Sequence, residues 1–177
     1  MHRLFVALRP PPEIRRQLLA AMEGVEGARW QDDEQLHLTL RFIGNVERPL
    51  AEDIAVALGN VHAPPVTLRL SGVGQFDRRG RTTTLWAGVR PHDAVAALHR
   101  KVDQALARLG LPREGRAFLP HITLARSNAA TGPPEAFLAR NAGLASAAFT
   151  LSHMLLFEST LGQDGARYEA VARYPLG

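Results

Sequence analysis

Residues 36–42 read LHLTLRF, and residues 121–126 read HITLAR. Both contain a His-apolar-Thr-apolar tetrad, at 37–40 and at 121–124. Each stretch alternates polar and apolar residues, the period-two pattern of a half-buried strand. Successive side chains on a strand point to opposite faces. Leu36, Leu38, Leu40 and Phe42 are therefore expected on one face, against a core, with His37, Thr39 and Arg41 on the other. In the second stretch Ile122 and Leu124 take the core side, and His121 and Thr123 share the opposite face.

The surroundings of the tetrads also repeat. LFVALRP at 4–10 can be laid over LWAGVRP at 85–91. A helical pattern follows each: EIRRQLLAAM from residue 13, and DAVAALHRKVDQALARLG from residue 93 with Gly110 as its C-cap. The tetrad then follows each helix. Leu4 to His37 is 33 positions, and Leu85 to His121 is 36. The same order at nearly equal spacing marks an internal duplication into two similar lobes.

The connecting sequence supplies the other elements. Pro10, Pro11 and Pro12 end the first strand and can open a helix, where a missing N–H costs little. Gly44-Asn45 is expected to close the first His-x-Thr strand. PLAEDIAVALG (49–59) reads as a helix, VTLRLSGVGQF (66–76) as a strand and FDRRGRT (76–82) as a turn. PPEAFLARN (133–141) suits a short helix. AFTLSHMLLFES (148–159) and ARYEAVARYPL (166–176) read as two strands joined by the hairpin turn LGQDG.

At 177 residues and 46% hydrophobic content the chain fits one compact domain, or two small lobes sharing a core. No apolar run is long enough to cross a bilayer, and the N-terminal stretch is a poor secretory signal. No cysteine is present, which excludes disulfides and thiolate metal sites and fits a cytoplasmic protein. Net charge is +4, and Lys101 is the only lysine. Abundant arginine and alanine fit a GC-rich genome. Arginine also grips phosphate with a planar fork of donors, so the charge permits RNA or a nucleotide as partner. No His-x-His, His-Glu-x-x-His or acidic cluster accompanies the tetrads, so no metal and no other cofactor is expected.

If a pseudo-twofold axis relates the lobes, the two polar faces meet across a cleft. Two imidazoles and two hydroxyls in that arrangement suit a phosphodiester. In-line displacement at phosphorus has an attacking oxygen on one side and a leaving oxygen on the other. A neutral imidazole can take a proton from water, and an imidazolium opposite can give one to the leaving alkoxide. Threonine hydroxyls can donate to the non-bridging oxygens as charge builds there. A single His-x-Thr strand is ordinarily a solvated face. Recurrence at equivalent positions weakens that reading.

The ordered series RLFVAL, PPEI, HLTLRFIG, LWAGV, PHITLAR, FESTLG and a terminal YPL resembles the two-histidine phosphoesterase superfamily. It is most similar to the RNA 2′,3′-cyclic phosphodiesterase branch, also called 2′-5′ RNA ligases, and the likeness spans nearly the whole chain. The resemblance implies a single bilobal α+β domain over 1–177. Each lobe would be an antiparallel sheet flanked by helices, with the active-site cleft between lobes. It implies opening of a 2′,3′-cyclic phosphate at an RNA end to a 2′-phosphate, with 2′-5′ joining as the reverse. By position His37 would be the proton donor and His121 the proton acceptor, an assignment that near symmetry makes reversible. Thr39, Thr123 and Arg126 would bind phosphate. Strand parity puts Arg126 with Ile122 and Leu124, so only a turn or twist at the strand end would bring it round. Arg41 has the right parity but lies nearer the rim.

Other residues carry less. Trp30, Phe76 and Trp86 could stack on a base, with core packing favoured for Trp86. His2 and His153 are expected to be structural, and His99 solvated. A cleft duplicated within one chain needs no partner, so a monomer is expected, with RNA ends or nucleotides bearing a 2′,3′-cyclic phosphate as substrate. Two readings compete: the same chemistry on another small cyclic nucleotide or a 2′-5′ oligonucleotide, and a non-catalytic binder of RNA ends.

Overall fold

The computed structural model describes all 177 residues, Met1–Gly177. Nine strands and four helices follow the duplicated plan. The first half holds β1 (His2–Leu8), α1 (Pro12–Ala21), β2 (Arg29–Trp30), β3 (Leu38–Val46) and α2 (Arg48–Leu58). Then come β4 (Val66–Arg78), β5 (Arg81–Arg90), α3 (Asp93–Ala107), β6 (His121–Arg126), α4 (Glu135–Arg140), β7 (Phe149–Leu151), β8 (His153–Gly162) and β9 (Gly165–Pro175).

The strands form one antiparallel sheet in the order β7-β4-β5-β6-β3-β1-β8-β9, with β2 also paired to β6. One half is β9-β8-β1-β3, and the other is β6-β5-β4-β7. They meet at β3 and β6, which share the single pair Leu38↔Ile122. The two His-x-Thr segments are thus neighbours at the centre of the molecule. Continuing that antiparallel register sets Thr39 across from His121 and His37 across from Thr123.

One face of the sheet is covered by helices. Val95, Leu98, Val102 and Leu106 recur at helical spacing along α3 and are fully buried. They join Ile14 and Leu18 of α1, Ile54 and Leu58 of α2, and the inward residues of β1, β3 and β6 in a core of 32 buried residues. The other face stays open. On it Phe5, Ala7 and Phe157 form a separate small cluster with Leu155 and Tyr168 against it.

Three sequence expectations are corrected. The strand with the first tetrad does not close at Gly44-Asn45; it runs to Val46. A bulge there places Leu4 opposite Gly44 but Phe5 opposite Phe42, and Gly44 supplies the left-handed backbone (φ 92°) that a side chain would strain. The run 148–159 is two strands, because Ser152 breaks it: β7 pairs with β4 at one end of the sheet, and β8 pairs with β1 in the other half. The overlay of 4–10 on 85–91 is displaced by two positions. Ala7 lies opposite Thr39 and Trp86 opposite Thr123, so Ala7 is the counterpart of Trp86. A displacement of two keeps every side chain on its face.

Candidate active site

A bulge recurs at the same place in both tetrads and decides which side chains reach the open face. Along β3, Thr39 pairs with Ala7 but Arg41 pairs with Val6, so Leu40 is the extra residue. Along β6, Thr123 pairs with Trp86 but Ala125 pairs with Leu85, so Leu124 is extra. Beyond each bulge the alternation flips. Arg126 is thereby exposed on the face of His121 and Thr123, although simple parity excluded it. Its partners across the sheet are Thr84 on β5 and Arg29 on β2.

The same flip overturns the expected faces of Arg41 and Phe42. Arg41 is buried on the helix side, where its Nε donates to Asp103 Oδ1 at 3.0 Å and its other nitrogens donate to the carbonyls of Phe42 and Pro112. It belongs to the fold and not to the open face. Phe42, assigned to the core by alternation, is 46% exposed under the Arg3 guanidinium. Arg41 of the first half corresponds to Ala125 of the second, and Phe42 corresponds to Arg126.

His37 sits just ahead of β3, on a turn pinned from several sides. A capping box joins Asp32 and Gln35: the Gln35 N–H donates to Asp32 Oδ1 at 2.9 Å, and the Asp32 N–H to Gln35 Oε1 at 3.0 Å. Gln35 also reaches the Ala166 carbonyl of β9 at 2.8 Å. Arg9 donates to the carbonyls of Asp33, Glu34 and Leu36, each at 3.0 Å. On this frame His37 Nδ1 donates to the Gln35 carbonyl at 2.7 Å, and Nε2 lies 2.9 Å from Thr39 Oγ1. The ring is boxed by Phe5, Tyr168 and Phe157, at centroid distances of 4.8, 5.3 and 6.2 Å. That burial pushes its pKa down to about 4. The Gln35 carbonyl opposes the shift, and the charges of Arg126, Arg9 and His121 add to it.

His121 opens β6. Its Nδ1 donates to the Leu119 carbonyl at 2.7 Å, again two residues back, and Nε2 has no partner within the chain. Phe76 meets the ring edge-on at 4.9 Å and Trp86 lies 6.0 Å away. Burial lowers this pKa as well; the Leu119 carbonyl opposes it and Arg126 adds to it. Trp86, expected in the core, is therefore on the open face beside His121. Its indole N–H is buried without a partner. Phe76 stands there too. Trp30 faces the other way, against Phe137 of α4 at 5.5 Å.

Of the remaining histidines, His99 is buried and not solvated as expected. Its Nδ1 bonds the Leu40 carbonyl at 2.7 Å, and its ring stacks on Phe118 at 4.1 Å. His2 pairs with Glu158 at 3.1 Å, and His153 lies near Arg173 at 3.2 Å. No group of three or more His, Asp or Glu side chains comes together in a way that could hold a metal ion. No helix is long and apolar enough to cross a membrane.

An antiparallel sheet that sets two His-x-Thr segments side by side is the architecture of a two-histidine phosphoesterase. A family model described as the 2′-5′ RNA ligase superfamily matches residues 10–163, and the chain belongs to that superfamily. It is 33% identical over 180 residues to the RNA 2′,3′-cyclic phosphodiesterase of Escherichia coli strain K12, covering 98% of this chain and 96% of that protein. It is 32% identical over 151 residues to the protein of the same name from Geobacillus stearothermophilus, covering 83% of this chain but about half (47%) of that longer relative. Among solved structures, E. coli LigT complexed with 3′-AMP superposes with a TM-score of 0.80 at 29% identity, over 99% of this chain and 98% of that one. The crystal structure of a phosphoesterase superposes with a TM-score of 0.81 at 28% identity, over 99% and 98%.

Proposed function

We propose that the protein hydrolyses RNA 2′,3′-cyclic phosphate ends to 2′-phosphomonoesters by paired-histidine acid–base catalysis, with 2′-5′ joining as the reverse reaction. The observation that carries this reading is the matched pair of imidazoles. Each holds its Nδ1–H on a carbonyl two residues back, which fixes the tautomer and leaves Nε2 for chemistry. Both rings belong to neighbouring segments on one open face with Arg126. The relatives that share this plan at 32–33% identity carry the matching name.

In this reading His121 Nε2 takes a proton from water as the water oxygen attacks phosphorus. His37 Nε2 delivers its proton to the 3′ oxygen as the P–O3′ bond breaks, and the phosphate stays on the 2′ oxygen. Thr39, Thr123 and Arg126 hold the non-bridging oxygens, where a charged donor is worth most. His37 is neutral near pH 7 in the free protein, since its pKa lies at about 4. The negative phosphodiester beside it favours the imidazolium, so substrate itself charges the donor. In the reverse direction a 5′ hydroxyl replaces water. The whole chain, 1–177, acts as one bilobal domain. It works as a cytoplasmic monomer, since one chain supplies both histidines, and sedimentation of the purified protein checks that state.

The test uses adenosine 2′,3′-cyclic phosphate in the presence of EDTA, with chromatography resolving 2′-AMP from 3′-AMP. The expected product is 2′-AMP, with His37→Ala and His121→Ala each slower by about 10²-fold or more. Loss of activity in EDTA overturns the metal-independent mechanism. Intact substrate with both the mononucleotide and longer RNA ends makes the non-catalytic binder the better reading.

A further inference from the structure

The tip of the β4–β5 hairpin carries three arginines within four residues, Arg78, Arg79 and Arg81. Arg78 and Arg81 face each other across its last pair, and Arg79 takes the turn with φ 54°. All three are exposed, and none forms an ion pair. They border a groove of about 540 Å³ whose other polar walls are Thr82, Thr83, Ser127 and Asn128. The groove begins at the end of β6, one residue beyond Arg126. Ser127 follows Arg126 directly, and its N–H donates to the Thr83 carbonyl at 3.0 Å, which ties the end of β6 to the hairpin. Arg126, exposed at the end of β6, lies between His121 and the groove, whereas the guanidinium of its cross-strand partner Arg29 reaches Gly165 at the start of β9.

A chain ending in a cyclic phosphate continues only in the 5′ direction, so it must leave the cleft over one half or the other. The first half has a groove of its own, lined by Arg9, His153 and Arg173 among others. Its cations are already committed: Arg9 to three carbonyls, and Arg173 to His153. The row leading towards it is apolar, with Phe5, Phe157 and Leu155. The second half offers free guanidinium groups instead, although the Thr82 and Thr83 hydroxyls beside them already donate to Gln75 Oε1 and the Phe76 carbonyl. Free arginines are phosphate contacts, which position a strand without reading its bases.

Resting on the reading of the site given above, we propose that the hairpin groove binds the phosphates on the 5′ side of the cyclic end, so that the protein prefers a single-stranded RNA terminus to a mononucleotide. Residues from Thr123 to Asn128 span about 16 Å of extended chain at about 3.3 Å per residue. A mononucleotide seated between the histidines does not reach the hairpin tip; a strand does.

The test compares wild type with the triple variant Arg78→Gln, Arg79→Gln, Arg81→Gln. Substrates are adenosine 2′,3′-cyclic phosphate and a short oligoribonucleotide with the same cyclic end. The variant is expected to hydrolyse the mononucleotide at the wild-type rate, which also shows that it folds. Its kcat/KM for the oligonucleotide falls about tenfold or more, through KM. The slope of log K against log salt for the oligonucleotide becomes shallower by about 2, close to 0.7 for each of three lost phosphate contacts. An unchanged ratio of oligonucleotide to mononucleotide kcat/KM overturns the proposal. Anisotropy of the labelled oligonucleotide on a His121→Ala background gives a second readout that needs no turnover. If neither substrate is hydrolysed by wild type but binding still depends on the three arginines, the reading of the reaction fails and the strand site stands. If binding is also unchanged, the strand site fails.

Discussion

The two His-x-Thr segments share a tetrad, a bulge and a carbonyl partner for Nδ1, yet their surroundings differ in kind. His37 is closed in by Phe5, Phe157 and Tyr168, and the row beyond it is apolar. His121 has Phe76 and Trp86 on its sides, an unpartnered Nε2, and Arg126 further along β6. One imidazole is held in an apolar box and the other is open at Nε2, yet burial lowers the pKa of both and Arg126 adds to each shift. The division between acid and base therefore rests on what each Nε2 faces, Thr39 Oγ1 for His37 and no partner for His121.

The sharpest way to test that division is a diester whose leaving group needs no proton. Bis(4-nitrophenyl) phosphate departs as a stabilised phenolate. The variant that lacks the acid should retain most wild-type activity on it, whereas the variant that lacks the base should lose about 10²- to 10⁴-fold. The expected pattern is retention by His37→Ala and loss by His121→Ala, read from nitrophenolate release. The opposite pattern reverses the two roles and leaves the paired mechanism standing. Equal loss in both variants would sink the division itself.

The next effect concerns a contact between the halves, made by Arg41 of β3 and Asp103 of α3, that the counterpart Ala125 cannot make. Arg41 and Asp103 are buried together, and Asp103 also accepts the Glu114 N–H at 3.1 Å. Burial alone would raise the Asp103 pKa, but the Arg41 hydrogen bond, the Glu114 N–H and the nearby charges of Arg41 and His99 outweigh it and hold the carboxyl below its usual value. Removing one partner strands the other, so Asp103→Ala should destabilise the protein by about 3 kcal/mol in denaturant unfolding. The sign with pH follows from the lowered pKa. The contribution is complete above the unfolded carboxylate range and is lost as pH falls through the folded pKa. Wild type and variant should therefore converge only in acid. A variant as stable as wild type at pH 7 would show that the pair contributes nothing net.

How far the sequence reveals this plan depends on where the strand period is kept. Alternation places His37, Thr39, His121 and Thr123 on one face and Leu38, Leu40, Ile122 and Leu124 on the other, as observed, because parity reverses only after the bulged residues Leu40 and Leu124. It failed at Arg41, Phe42 and Arg126, because one extra residue reverses parity and nothing in the composition of Leu40 or Leu124 announces it. The break at Ser152 is equally silent, since two strands of different halves follow one another without a turn residue. Trp86 was misplaced for another reason. It reads as a core aromatic in an apolar strand, and only its position opposite Thr123 puts it on the open face. Gln35 and Arg9, which build the frame under His37, went unread because they act through backbone carbonyls that no pattern of side chains records.

A smaller effect measures the box itself. Both histidine pKa values are lowered, that of His37 to about 4, so the free enzyme needs one charged ring while both resist charge. The pH profile of kcat/KM should be a bell centred below 6.5, and that of kcat should lie at higher pH because bound phosphate favours the imidazolium. Tyr168→Ala opens one wall of the box to water. The His37 pKa should then rise towards 6.5, read by NMR titration of its ring protons, while His121 stays where it is. Stability follows the same sign. A lowered histidine pKa contributes fully above 6.5 and is lost as pH falls towards 4, so the variant should lose less stability over that window than wild type. Movement of both histidines together would mean that the two environments are not separate.

The smallest change probes the other side of the comparison. Gly74 on β4 lies opposite Trp86 on β5, and a Cβ built there would sit 2.3 Å from Cζ2 and 2.4 Å from Cη2 of the indole. A rigid ring has no flexible end to move aside, so Gly74→Ala must tilt it, and His121 is the neighbour 6.0 Å away. The cost of such overpacking is about 1–3 kcal/mol in stability. A few-fold fall in kcat/KM should accompany it, with a shifted indole emission and a shifted His121 titration. His37 should titrate as before, because its half carries Ala7 in place of Trp86 and nothing there leans on the indole. If His121 keeps its pKa while the emission moves, Trp86 is a neighbour of that histidine and not part of what sets its charge. The asymmetry between the halves would then rest on the aromatic box around His37.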